Sequence, residues 1–163
     1  MVSADSGQLV GLACGKPHGL RLQPAAERDL PFARELTRVN MRRYYDHYGL
    51  VWQPDAFDAE WPQRESYLVE RHRVVVGYLS VSAERTFLYV RDVQLIEACR
   101  GEGVGTWAMA CVARMAEERR LESSRLKVFK NNPAAALYRR LGYTDVGDEP
   151  MLLRMERLVS PAA

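Results

Sequence analysis

The chain of 163 residues carries 23 Lys and Arg against 21 Asp and Glu, a formal charge of +2, with 47% apolar and 27% charged residues. That is enough apolar sequence for one domain with a real core, and too little charge to imply nucleic acid or an anionic membrane as a partner. No apolar run reaches membrane-spanning length. Cys14, Cys99 and Cys111 lack paired spacing, which points to reduced thiols in the cytoplasm, and the scattered His18, His47 and His72 write no metal site.

Residues 1–19, with four glycines and no basic start before an apolar run, read as a loose leader rather than a signal peptide. A single domain is expected over residues 20–158. Leu20 to Gln23 forms a first strand. Residues 26–41 then fit a helix, with Phe32, Leu36 and Val39 on one face and Pro31 in the first turn. Residues 42–65 have no clean period, yet hold Tyr44, Tyr45, Tyr48, Trp52, Phe57 and Trp61. Ser66–Glu70 and Val74–Ser82 flank a polar turn and predict a hairpin, and Thr86–Ile96 is a third β run.

The period then changes. Val104, Trp107, Ala108, Cys111, Val112 and Met115 recur at threes and fours, which marks a helix starting near Gly103. Arg125–Phe129 is a strand, Asn131-Asn132-Pro133 opens a helix that runs through Leu141 to a stop at Gly142, and Met151–Arg157 forms a closing strand. The order implies a mixed α/β or α+β domain with one core. Residues 100–140 hold nine Arg and Lys against four Glu, a local +5. Such a field suits a phosphate-bearing ligand, or simply a set of solvated helix faces.

Arg100-Gly101-Glu102-Gly103-Val104-Gly105-Thr106 lies between a strand and an amphipathic helix. Glycines let backbone N–H groups turn toward an anion, the helix behind adds its positive end, and the guanidinium of Arg100 can fork onto phosphate oxygens. A Walker loop would need Gly-Lys-Ser/Thr where this helix opens Gly105-Thr106-Trp107. A dinucleotide fingerprint would need a third glycine where Thr106 stands, and an acidic partner about 20 residues on. The remaining pattern, Arg-x-x-Gly-x-Gly, is met by Arg100, Gly103 and Gly105. A Gly-rich turn with no ligand is the plain alternative.

That segment resembles the signature of the GNAT superfamily of coenzyme A-dependent N-acetyltransferases. The run from Asn131 through Ala134, Leu137, Tyr138 and Gly142 to Tyr143 resembles a second superfamily motif, in the same order and the same strand–helix context. The resemblance covers residues 20–157, weakly before residue 75. It implies a mixed, mostly antiparallel sheet splayed around the fourth strand and flanked by helices. It also implies acyl transfer, most often of acetyl from acetyl-CoA, to a primary amine of a small molecule or peptide, with no metal. Homodimers are common among such proteins.

Carried over by position, main-chain groups of Val93, Gln94 and Leu95 would meet the pantetheine arm as an added strand would. Arg100, Gly101, Glu102, Gly103, Val104, Gly105 and Thr106 would cradle the pyrophosphate. Asn131, or its neighbour Asn132, would contact the pantetheine, and Tyr138 would stand near the sulfur. A phenol near pKa ~10 can hydrogen-bond or protonate a departing thiolate whose conjugate acid lies near ~8.5; a ring that only packs is the alternative.

Some relatives carry a basic glutamate at the position of Leu126, which cannot take a proton. Asp92, an acid inside an apolar strand, is therefore the first candidate base, set against a salt bridge to Arg91 or another arginine. Glu97 and Asp46 are weaker candidates, and a water relay needs none of them. The aromatics of residues 44–61 fall where the superfamily forms its acceptor wall, and equally suit closure of the sheet's open face. No nucleophile has an activating partner, so direct attack in a ternary complex is expected. A non-catalytic module that senses acyl-CoA is the reading from another class.

Overall fold

Alternating apolar residues build seven strands in the computed structural model, which describes residues 18–160. These are β1 (Leu20–Pro24), β2 (Glu65–Arg71), β3 (Val74–Ala83), β4 (Phe87–Leu95), β5 (Ser123–Phe129), β6 (Thr144–Asp148) and β7 (Leu152–Leu158). They form one sheet in the order β1-β2-β3-β4-β5-β7-β6. Every pairing is antiparallel except β4 with β5. The mixed, mostly antiparallel architecture expected from the sequence is therefore the observed one. The expected leader, residues 1–19, lies outside the described residues but for its last two.

Four helices flank the sheet: α1 (Leu30–Tyr48), α2 (Pro54–Glu60), α3 (Val104–Glu118) and α4 (Ala134–Arg140). On one face α3 buries Val104, Trp107, Ala108, Cys111, Val112 and Met115 against Leu79, Val81, Leu88, Leu126 and Met155. On the other, Ala33 of α1 joins Phe57, Trp61, Leu68 and Tyr78 in a smaller cluster. Among the described residues no helix is long and apolar enough to cross a membrane.

Two irregularities in β4 position the site. It pairs with β5 only where Phe87–Tyr89 lie beside Ser123–Arg125; past that point the two strands separate and leave a gap. The register against β3 also slips: Val81 faces Val90 while Ser80 faces Asp92, so Arg91 is an extra residue. A bulge of this kind inverts the alternation of everything after it. Leu88 and Val90 point into the α3 core, whereas Asp92 and Gln94 reach side chains of the opposite layer.

The sequence reading and the structure differ at three elements. Helix α1 runs seven residues past the expected end at residue 41, to Gly49 in the left-handed region at φ +66°. Its packing face carries Ala33, Thr37 and Tyr44, and Val39 is exposed. The reason is that polar residues face the sheet here: the Thr37 hydroxyl bonds the Tyr78 hydroxyl, so an apolar periodicity misplaces the stripe. Helix α2 is too short to show a period, and edge strand β6, with Asp and Gly in its sequence, exists through its pairing with β7 rather than by propensity.

Candidate active site

The turn after β4 leads into α3 through Gly101 and Gly103, whose φ values of +74° and +84° are left-handed. Gly103 caps the helix. A side chain at either position would be strained, so these two glycines are required by the turn itself. Gly105 has an ordinary φ, and a Cβ there would find only the Leu137 Cδ2 at 3.6 Å, so its lack of a side chain leaves room above the helix end. The first N–H groups of α3 have no partner within the helix and open onto the same space. Val104 turns its side chain into the core, fully buried. Glu102 points away to pair with Arg71.

That space is a cleft of about 490 Å³ lined by the loop glycines, Arg100 and Thr106, by Val93, Gln94 and Leu95 of β4, and by Leu137 and Tyr138 of α4. Arg43 and Arg140 face it too. Positive charge, free N–H groups and missing side chains converge on one end, and the edge of β4 beyond Tyr89 has no strand beside it. A polyanionic, extended ligand fits these residues. A pyrophosphate would lie on the loop and a peptide-like arm along β4.

Asn131 is exposed and does not reach the cleft; Asn132 lines it. The Asn132 Oδ1 accepts from the Ala134 N–H at 2.9 Å, which holds the first turn of α4 in place. The asparagine at the cleft is therefore Asn132, not Asn131.

A second, smaller cavity of about 150 Å³ occupies the gap between β4 and β5. It shares Val93, Gln94, Asn132, Ala134 and Tyr138 with the cleft and adds Asp92. The structure thus brings the two candidate catalytic side chains, Tyr138 and Asp92, to one cavity, with Tyr138 at the junction. The Tyr138 ring meets Tyr143 edge-on at 5.9 Å. Burial, then Tyr143 and Asp92, push its phenol up to about 12, so it stays protonated throughout the physiological range.

Asp92 is ion-paired, but not to Arg91. Its Oδ2 accepts from the Arg64 Nη1 at 2.8 Å and its Oδ1 from the Gln94 Nε2 at 3.1 Å. Arg64 in turn pairs with Glu60. Arg91 instead stacks on Tyr89 and donates to Ser82. Burial raises the Asp92 carboxyl above its ordinary range, while Arg64, Gln94 and Tyr78 pull it back. The other acids stand off: Glu97 is exposed outside the cleft, and Asp46 is an exposed partner of Arg42. Leu126 is a core residue beneath α3.

The aromatic run divides between two jobs. Tyr44, Phe57 and Trp61 are buried packing residues. Tyr45 and Tyr48 are half-buried around Phe129, which stacks on Tyr44 and Tyr48 at 5.7 and 5.4 Å and meets Tyr45 edge-on, while half-buried Trp52 packs on Tyr45 and Phe57. Asp92 and Glu60 act electrostatically on the Tyr45 phenol, so this aromatic patch borders the carboxylate side of the gap. Asn40 and Arg64 are site residues that the sequence reading did not select, and Asn132 was named there only as the alternative to Asn131. Asn132 had a local signal, its place before a helix; the other two are brought in by tertiary contacts. Among the described residues, no group of three or more His, Cys, Asp or Glu could hold a metal ion.

The fold is shared with proteins of known structure. PaiA N-acetyltransferase from Thermoplasma acidophilum, solved in complex with coenzyme A, is 10% identical and superposes with a TM-score of 0.68 over 85% of this chain and 98% of its own. The ribosomal-protein-S18-alanine N-acetyltransferase from Escherichia coli is 15% identical, with a TM-score of 0.69 over 88% and 96%. Nourseothricin acetyltransferase is 25% identical, with a TM-score of 0.53 over 61% and 67%. Comparison with curated protein sequences finds no match. The family model described as "Acetyltransferase (GNAT) family" matches residues 33–143, from α1 through the glycine turn to the end of the α4 motif. The chain belongs to the GNAT acetyltransferase family and is an acyltransferase.

Proposed function

We propose that the protein transfers an acetyl group from acetyl-CoA to a primary amine of a small molecule or peptide, by direct attack in a ternary complex. The observation that carries this reading is the junction at Tyr138, where a cleft shaped for a phosphorylated, extended donor opens into a cavity bounded by a carboxylate and aromatic rings. The solved complex of the Thermoplasma acidophilum relative with coenzyme A supports the donor. The two other relatives, one of them named for alanine N-acetylation of a ribosomal protein, support acyl transfer to an acceptor of either size.

The donor's thioester carbonyl lies at the Tyr138 end of the cleft in this reading. A neutral amine enters from the aromatic side and attacks the carbonyl carbon; the N–C bond forms, the C–S bond breaks, and the amine's surplus proton leaves toward Asp92 directly or through water. With its phenol at about 12, Tyr138 donates a hydrogen bond to the departing thiolate more readily than a whole proton. Full transfer to a thiolate of conjugate pKa ~8.5 would be uphill by about 3.5 units, or ~5 kcal/mol. Tyr45, Tyr48 and Trp52, with Glu60 nearby, suit the approach of a cationic amine.

The test is release of free thiol from acetyl-CoA in the presence of a pooled library of amines and peptides, with mass spectrometry of the products. Amine-dependent thiol release with a mass gain of one acetyl group supports the reading. Coenzyme binding with no product from any amine counts against it.

A further inference from the structure

Between the coenzyme turn and Asp92 runs an unbroken line of side-chain hydrogen bonds. The Arg100 Nη2 donates to the Asn40 Oδ1 at 2.5 Å. The Asn40 Nδ2 donates to the Gln94 Oε1 at 3.1 Å and to the Leu95 carbonyl at 3.0 Å. The Gln94 Nε2 donates to the Asp92 Oδ1 at 3.1 Å. Every bond points the same way, from a guanidinium through two amides to a carboxylate, and Gln94 is buried. In such a chain each amide is polarised by its neighbour, so the donor strength of the last member depends on the cation at the first. The chain joins β4, α1 and the turn before α3 through side chains alone.

We propose that Asn40 and Gln94 are positioning residues that couple occupation of the coenzyme turn to the proton affinity of Asp92. The proposal rests on the acetyl-CoA reading above for the identity of the occupant. In the free protein Arg100 is held by Asn40. A pyrophosphate on the turn is a stronger partner for a guanidinium than a neutral amide is. Drawing Arg100 away removes the cation from the head of the chain and weakens the Gln94 N–H bond to the carboxylate. Asp92 then holds a proton more tightly, so it becomes a better acceptor once the donor is bound.

The other groups facing Asp92 are Arg64 just before β2, Glu60 of α2 beyond it, Tyr78 of β3, Tyr89 of β4 itself, Tyr45 of α1, Tyr138 of α4 and, across the gap, Lys127 of β5. All stay in place in the variants below.

The experiment is a pH titration of the Asp92 carboxyl carbon by NMR on the full chain labelled at aspartate, with Asp92→Asn to assign the signal. The probe is coenzyme A. In the wild type, saturating coenzyme A should raise the midpoint by roughly 0.3 unit, a twofold change, as expected when one charge-assisted hydrogen bond loses some tens of per cent of its strength. Asn40→Ala should raise it by a similar amount with no coenzyme, although Arg100 keeps its charge, and adding coenzyme A should then move it no further.

An unchanged midpoint in Asn40→Ala would overturn the relay, whatever happens to its melting temperature. So would a coenzyme-induced shift that persists undiminished in that variant, since it would be a through-space effect of ligand charge. The coenzyme reading fails separately. A midpoint raised in both Arg100→Ala and Asn40→Ala, in a protein that binds no coenzyme A, keeps the relay and refutes the donor.

Discussion

The side proposed to hold the donor and the side proposed to hold the acceptor are made of different materials. The donor side, from the end of β4 to α4, presents mainly backbone: two left-handed glycines, the open end of α3 and an unpaired strand edge. The acceptor side, between α1, α2 and the gap, presents side chains that reach each other across the sequence, such as Arg64 to Asp92 at a separation of 28 residues and Thr37 to Tyr78 at 41. A site made of backbone specifies where glycine must be and little else. It can hold one ligand while the surrounding sequence drifts. A site made of long-range side-chain contacts can be rebuilt for a new acceptor without touching the donor loop.

The comparison predicts that the two sides fail differently. On the donor side the largest effect belongs to Gly105→Val. Its φ is ordinary and the nearest atom to a new Cβ is 3.6 Å away, so folding should be retained within a few degrees of melting temperature. Coenzyme affinity should fall by at least about a hundredfold. The wild type should gain about 2.7 kcal/mol at a hundred times Kd, and the variant no more than about 0.4 kcal/mol at that concentration. Calorimetry and a melting scan with coenzyme A check both halves; wild-type affinity would sink the loop assignment.

On the acceptor side a substitution should instead cost stability. Asp92→Ala leaves Arg64, whose side chain is only 9% exposed, with Glu60 as its one acidic partner. Breaking a buried pair costs 3–5 kcal/mol, and the remaining Glu60 contact should hold the loss to about 2 kcal/mol. Urea denaturation reads this directly. Asp92→Asn, which keeps an oxygen toward Arg64, should recover most of the stability but none of the base function. If Asp92→Asn also keeps full kcat, Asp92 is a structural acid and the amine proton leaves through water.

The same division of materials decides what the sequence could show. The glycine turn was legible because Arg100, Gly101, Gly103 and Gly105 lie within six residues and its left-handed positions are set locally. The strands and α3 were legible through their periods. The asparagine was misplaced by one residue because Asn131 and Asn132 are equivalent until the helix fixes which of them faces the cleft. Asp92 looked like an acid in an apolar strand because the bulge at Arg91 is invisible in a pattern of alternation. Once the bulge turns it to the other face, its partner is Arg64 rather than the adjacent arginine. Asn40, in the middle of a helix, carried no signal, since its role exists only in contact with β4 and Arg100.

Tyr138 joins the two sides, and its substitution tests whether they meet in a reaction. Tyr138→Phe keeps the ring against Tyr143 and removes only the hydroxyl. Stability and coenzyme affinity should therefore hardly change. A hydrogen bond to a charged atom is worth about 1.5–3 kcal/mol, so kcat and kcat/KM should fall together by roughly 10- to 100-fold, the mark of an interaction made in the transition state. Steady-state kinetics with an identified acceptor measures it. Full activity in Tyr138→Phe, with chemistry rate-limiting, would make the residue a packing tyrosine.

The smallest expected effect is the most specific to the environment of Tyr138. A hydroxyl that donates must be protonated, so activity is lost as pH rises through its pKa. An ordinary phenol near ~10 would give a falling limb between pH 9 and 10.5. Here burial raises the pKa to about 12, and raising an acid's pKa extends its donor form to higher pH. The rate should climb as the acceptor amine loses its proton and then stay level to pH 10.5. The pH profile of kcat in the wild type, with Tyr138→Phe as reference, decides the matter. A wild-type rate that drops near pH 10, while the Tyr138→Phe rate does not, would mean that the phenol titrates as if in water. The gap between β4 and β5 would then be open to solvent during turnover, and the low polarity that separates the Tyr138 donor from an ordinary tyrosine would not exist in the working enzyme.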